Sequence, residues 1–162
     1  MNHITRKAIE SDIPAIYNLI SEFYIDFHRG KIVPLEFHHF INFKSNSEEI
    51  QNSALKYVND ATFFTFVAEV DTRICGYITG YILAQPEMEL DKAGIIEEWF
   101  VTEKFRGKEI GKNLYTKLVD IFTENKCSHI EVSAFYQNEK TLKVYEKLGF
   151  SPIRIELMKK CS

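Results

Sequence analysis

Residues 94–135 constrain the fold more than any other stretch of the chain. Gly94 to Thr102, GIIEEWFVT, is a mostly apolar run of strand length, and a polar loop follows it. From about Glu109 to Asn125, the apolar residues Ile110, Leu114, Tyr115, Leu118, Ile121 and Phe122 recur at the three- and four-residue spacing of one helix face. His129 to Phe135 reads as a strand again. A strand, a helix and a strand in that order close as a right-handed crossover between parallel strands. The crossover delivers the helix N-terminus to the carboxyl end of the first strand, where open α/β sheets bind ligands. Free amide N–H groups and the helix dipole favour an anion there.

The remaining elements build around this unit. Ile4 to Ala8 predicts a short strand, and Ser11, Asp12 and Pro14 are helix-starting residues. The helix they open carries Ile13, Ile16, Tyr17, Ile20, Phe23, Tyr24 and Phe27 on one face and ends at Gly30 and Pro34. The aromatic, histidine-rich stretch Leu35 to Phe43 fits no element. A second helix is expected from about Ser47 to Asn59. Thr62 to Val70 and Ile74 to Ala84 form a hairpin around Asp71-Thr72-Arg73, which Gln85-Pro86-Glu87 breaks. Asn138 to Leu148 is a helix stopped by Gly149, and the alternating stretch Phe150 to Met158 is expected to close the sheet. No repeat, linker or low-complexity segment divides the chain, so residues 1–162 are expected to form a single domain.

Charge and cysteine content narrow the function classes. The formal net charge is −3 and no lysine or arginine block stands out, which argues against a sequence-independent grip on nucleic acid. Cys75, Cys127 and Cys161 are far apart and in no CxxC pair, so neither a disulfide framework nor a zinc site is expected, and a reducing compartment is the simpler reading. The sequence begins without a signal-like apolar run and nowhere approaches the ~18 apolar residues of a membrane span. The expectation is a soluble, cytoplasmic protein without a membrane partner.

Arg106-Gly107-Lys108-Glu109-Ile110-Gly111-Lys112 occupies the turn into the crossover helix. It offers two glycines, three cations and several amide donors, which is what a pyrophosphate needs. By itself the stretch is equally a solvated helix start with ordinary glycine turns. Both GxxxxGK[ST] and GxGxxG are absent, which takes the main support from ATPase and dinucleotide readings.

IEEWFVTEKFRGKEIGKNL, residues 96 to 114, resembles the first signature of the GNAT superfamily of N-acyltransferases, Q/R-x-x-G-x-G/A after a strand ending in Val. Val101, Arg106 and Gly111 are in register. Asn138, Tyr145 and Gly149-Phe150 resemble its second signature, N-x-x-A-x-x-x-Y-x-x-x-G-F. The likeness is strong over about 90 to 150 and looser before that. It departs at Glu109, which stands where the family has its first motif glycine, and at Thr141 in place of the small residue. It implies a mixed α/β fold. A six- or seven-stranded, mostly antiparallel sheet carries helices on both faces, and its central strands, 94–102 and 129–136, are parallel and splayed. It further implies acetyl-CoA as co-substrate, no metal, a small-molecule or peptide amine as acceptor, and a homodimer as one assembly such proteins adopt. The resemblance assigns Phe100, Val101, Arg106, Gly107, Lys108, Glu109, Ile110, Gly111, Lys112, Asn138, Lys140 and Tyr145 to cofactor binding, with the Val101 N–H on pantetheine.

The chemistry of the implied reaction can be tested on the residues. An alkyl ammonium with a pKa of about 10.4 must lose a proton before it attacks a thioester. A carboxylate beside it binds the cation and accepts the proton. Glu97 and Glu98 lie on the strand that would line the cleft, and strict alternation would point one of them at the substrate. The IEEWFV segment is similar to LEDFFV of spermidine/spermine acetyltransferases, which suggests polyamines or other small cationic amines. Tyr145 and Asn138, seven apart, share a helix face, and the resemblance makes Tyr145 the proton donor to the leaving thiolate. Glu109 motivates a second reading, a non-catalytic acyl-CoA-binding or regulatory module on the same fold. His28, His38 and His39 lack metal-site spacing and are expected on a loop shaping the acceptor pocket or on the surface. Cys75 and Cys127 are expected as small apolar residues, and no serine or cysteine nucleophile signature is visible.

Overall fold

The computed structural model describes residues 3–38 and 47–159. They fall into two compact units, one of residues 3–23 and 47–133, the other of 24–38 and 134–159. The elements are β1 (Ile4–Lys7), α1 (Ile13–His28), α2 (Ser47–Asn59), β2 (Phe63–Val70), β3 (Arg73–Ala84), β4 (Lys92–Val101), α3 (Ile110–Glu124), β5 (His129–Val132) and α4 (Glu139–Lys147).

In the first unit the strands form one sheet in chain order, β1 to β5. Every neighbouring pair is antiparallel except β4 and β5, which run parallel as the crossover requires. Their ladder starts at Ala93 opposite His129 and ends at Ile96 opposite Val132, while β4 continues to Val101. Helices cover both faces. Thr65 and Thr79 share a hydrogen bond of 2.7 Å, and Thr65 donates to the Tyr57 carbonyl at 2.6 Å, which fixes α2 on their face. Phe23 of α1 meets Phe100 edge-on at 6.2 Å on that same face. On the other face α3 buries Ile110, Leu114, Leu118 and Phe122. Gly80 and Gly94 make the room. A β-carbon at Gly94 would lie 2.4 Å from the Phe122 ring.

Asp12, read as a helix cap, has a larger task. It accepts the Ile9 N–H at 2.9 Å and both Arg6 terminal nitrogens at 2.6 and 2.9 Å, while Arg6 also donates to Glu69 at 3.1 Å. The Arg6 bonds hold the buried Asp12 carboxyl below the usual carboxylate range despite burial.

The second unit contains the end of α1, a short helical turn at Leu35–Phe37, and α4. Phe27 is fully buried, stacks on His38 at 4.6 Å and tilts against Phe135 at 5.7 Å. His28 and His38 thus belong to an aromatic cluster around Phe27; His39 lies outside the described residues, as does Cys161.

The expected closing strand, Phe150 to Met158, does not form. Residues 151–159 join no ladder, and Ile153 and Leu157 are 96% and 89% exposed. The described sheet accordingly has five strands, not six or seven. Alternation marks which face a residue would take, but a strand also needs a neighbour for its N–H groups, and Pro152 has none to offer.

Candidate active site

Strict alternation would send Glu97 and Glu98 to opposite faces of β4. A bulge overrides it. Thr79 pairs with Glu98 and the next residue, Gly80, pairs with Ile96, so Glu97 is the extra residue of β4. Glu98 accepts hydrogen bonds from the Tyr77 and Tyr57 phenols, on the face that carries α2. Glu97 lines an open cavity with Lys56, Asp60, Thr62, Phe63 and Tyr81. Phe63 touches Tyr57 at 5.4 Å, which places this cavity on the same face. Both carboxylates therefore serve one side of the sheet.

Burial lifts the Glu98 carboxyl above the usual carboxylate range; the phenol bonds pull it back and the neighbouring Glu97 charge pushes it up again. A carboxyl poised in this way is a better base than an exposed glutamate. Tyr57 and Tyr77 were not singled out in the sequence. The signal was present in β3, where Tyr77, Thr79 and Tyr81 alternate onto one face, but nothing local says that this face meets the two glutamates.

The turn into α3 bends through two left-handed residues. Gly107 has φ +74 with open space around it, and Glu109, at the helix N-cap, has φ 63. Glu109 thus adopts the left-handed conformation that glycine takes without strain. Its side chain is exposed and pairs with Lys112 at 3.2 Å. Ile110 is buried and anchors the first turn. Gly111 faces Trp99, which stacks on Tyr115 at 5.5 Å, so Trp99 is packed under α3. Arg106 donates its Nε–H to the Val101 carbonyl at 2.7 Å and lies 5.3 Å from the Phe100 ring, tying the loop to the end of β4. Lys108 and Lys112 are exposed cations beside this helix start.

In the second unit, Asn138 caps α4 by accepting the Thr141 N–H at 3.2 Å. Lys140 is exposed on the first turn. Tyr145 packs against Phe150 at 5.7 Å, and burial pushes its phenol up to about 12. Among the described residues no cluster of three or more metal-ligating side chains occurs.

A model of the acetyltransferase (GNAT) family matches residues 13–150. A spermine/spermidine N(1)-acetyltransferase of Bacillus subtilis (strain 168) is 30% identical over 56 residues, covering 34% of this chain and 37% of that protein. N-alpha-acetyltransferase 30 of Dictyostelium discoideum is 28% identical over 80 residues, 49% of this chain and 43% of that one. The matched stretches thus span less than half the length of either relative. Among solved structures, an aminoglycoside acetyltransferase from an uncultured soil metagenomic sample, in complex with trehalose, superposes with a TM-score of 0.70 at 23% identity, over 99% of this chain and 97% of that one.

Proposed function

The chain belongs to the acetyltransferase (GNAT) family, and from that premise we propose that it moves an acetyl group from acetyl-CoA to a primary amine, a small cationic one, by direct attack in a ternary complex. The observation that carries this reading is Glu98, a carboxyl on the first strand of the parallel crossover, with a raised pKa and held by two phenols. In the proposed reaction Glu98 accepts the proton of the ammonium, directly or through water. The freed nitrogen then attacks the thioester carbonyl carbon, a C–N bond forms, the nitrogen sheds its second proton to water, and the C–S bond breaks to release the CoA thiolate. Glu97 adds negative charge that draws the cationic amine in. The amide N–H groups of the α3 first turn, with Arg106, Lys108 and Lys112, would hold the pyrophosphate. The Val101 N–H, Phe100, Asn138 and Lys140 would hold the remainder of the cofactor, as the family resemblance implies.

Tyr145 fits the leaving-group role in a specific form. A phenol at about 12 is protonated throughout the neutral range. A thiolate whose conjugate thiol has ordinary acidity, about 8.5, cannot take the proton fully from it without a cost. Tyr145 therefore stabilises the developing thiolate by donating a hydrogen bond, with complete transfer coming later from solvent. Tyr145→Phe is expected to lower kcat by about 10²-fold while the dissociation constant for acetyl-CoA, measured by calorimetry, stays within about twofold. Equal turnover in the variant would remove Tyr145 from the mechanism.

Glu109 bears on whether the cofactor site works at all. Its main chain already has the glycine conformation and its carboxylate is exposed, so the substitution for glycine keeps the amide donors in place. Glu109→Gly is expected to tighten acetyl-CoA by no more than about threefold, because an exposed charge acts weakly across water. The same change trades a strained left-handed residue for the greater unfolded-state freedom of glycine, so stability should shift by less than about 1 kcal/mol. A tenfold gain in affinity would show instead that the glutamate crowds the phosphates.

The test of the reading is calorimetric binding of acetyl-CoA followed by a panel of amines watched for thiol release. Release with an amine establishes the transferase. Binding without release on any amine favours the non-catalytic acyl-CoA-binding module, and no binding at all sinks both.

A further inference from the structure

The cavity beside Glu97, of about 330 Å3, contains a cation of its own. Lys56 Nζ lies 4.8 Å from the centroid of the Phe63 ring, so an ammonium already sits on that aromatic face. Phe63 and Tyr81, 5.4 Å apart, form an aromatic wall of the cavity, and the buried Tyr57 packs against Phe63 at 5.4 Å. Two carboxylates share the space. Asp60 accepts the Thr62 N–H at 2.9 Å and its hydroxyl at 2.7 Å, bonds that hold its carboxyl below the usual range and keep it anionic. Glu97, on the bulge, has no hydrogen-bond or ion-pair partner among the described residues. One cation therefore faces two carboxylates and an electron-rich wall, leaving the cavity a formal negative charge.

We propose that this cavity is a cation subsite for the far end of the acceptor and that Lys56 is its specificity-determining residue. The lysine is exposed and its four-carbon stem is flexible, so its ammonium acts as a tethered occupant that can leave the ring. An acceptor bearing a second ammonium must displace it and meet its charge, whereas an acceptor with one ammonium, placed at Glu98, meets neither obstacle. The proposal takes from the reading above only the position of the reacting amine, at the residue adjacent to Glu97. Lys56 thereby holds the enzyme back from dications that the rings and carboxylates would otherwise bind well.

The experiment compares 1,4-diaminobutane with n-butylamine by calorimetry on the full chain, in wild type, Lys56→Met and Lys56→Arg. Lys56→Met is expected to gain on the order of tenfold in diamine affinity, the combined effect of one vacated cation–π contact and one removed repulsion, with butylamine changed less than about twofold. Lys56→Arg, which keeps the charge, should behave as wild type. Adding Glu97→Gln or Phe63→Leu to Lys56→Met should erase the gain. An unchanged diamine affinity in Lys56→Met, or an equal gain for butylamine, overturns the proposal. Because the readout is binding, a failure of acetyl transfer with every amine would sink the proposed reaction without altering this result.

Discussion

Glu98→Gln is expected to lower kcat/KM for amine acetylation by about 10²–10⁴-fold, the range of a positioned general base. The substitution keeps shape and a hydrogen-bond acceptor for the Tyr77 and Tyr57 phenols but cannot take a proton. The pH profile adds a signature that lost packing would not produce. In wild type, kcat/KM should fall as pH drops through the raised Glu98 value, and the variant should lose that limb. Tyr77→Phe removes a bond that favours the carboxylate, so it should move the limb to higher pH. Stability should run the other way from activity. A carboxyl whose folded pKa is raised contributes stability that is fully present below its unfolded value, about 4.3, and lost as pH rises through the folded one. At neutral pH the wild-type fold therefore carries the cost of a buried charge. Glu98→Gln should melt at a higher temperature there, with the difference closing as pH falls towards the unfolded value. Activity within tenfold of wild type would take the base role from Glu98. A lower melting temperature at neutral pH would mean that the two phenol bonds outweigh desolvation.

The elements that could be read from the sequence are those whose signal is local. The α3 face, from Ile110 to Phe122, has one helix period and one buried side, and it is found where expected. The parallel pairing of β4 and β5 follows from chirality once a helix lies between two strands. The turn before α3 was marked by its resemblance to the family's glycine pattern, while the left-handed conformation that Glu109 takes there came only with the structure. What was not legible depends on partners distant in sequence. Phe150 to Met158 alternates like a strand, yet alternation does not say whether a neighbour is available. Glu97 and Glu98 could not be assigned to faces, because the bulge that turns both to one side is a property of the pairing with Thr79 and Gly80, 18 residues or so upstream. The aromatic cavity gathers Lys56 and Asp60 from the end of α2, Phe63 from β2 and Tyr81 from β3, none of which carries a motif. Tyr57 binds Glu98 through its side chain while its carbonyl takes the Thr65 hydroxyl, a juxtaposition only the folded sheet creates.

Gly80→Ala should cost about 3 kcal/mol of stability, at the upper end of overpacking effects, and no side-chain trimming should recover it. A β-carbon at Gly80 would lie 2.3 Å from the Ile95 carbonyl oxygen, which is main chain and fixed by the β3–β4 ladder. Gly94→Ala makes a collision of similar closeness, 2.4 Å, but with the Phe122 ring. A ring can be shortened. Gly94→Ala combined with Phe122→Leu should therefore be more stable than the sum of the two single changes, by roughly 1–2 kcal/mol of coupling, whereas Gly80→Ala combined with Phe122→Leu should show little coupling. Urea unfolding of the five variants measures both differences. Equal recovery in the two pairs would mean that β3 shifts to absorb the alanine and that the carbonyl contact is not limiting. The position also matters for chemistry. Gly80 flanks the register shift that leaves Glu97 bulged, so a β-carbon there pushes on the stretch of β4 that turns both carboxylates to one face. Below its unfolding temperature, Gly80→Ala should accordingly lose acetylation along with stability. Gly94→Ala, whose collision lies on the α3 face, should retain activity for as long as it stays folded.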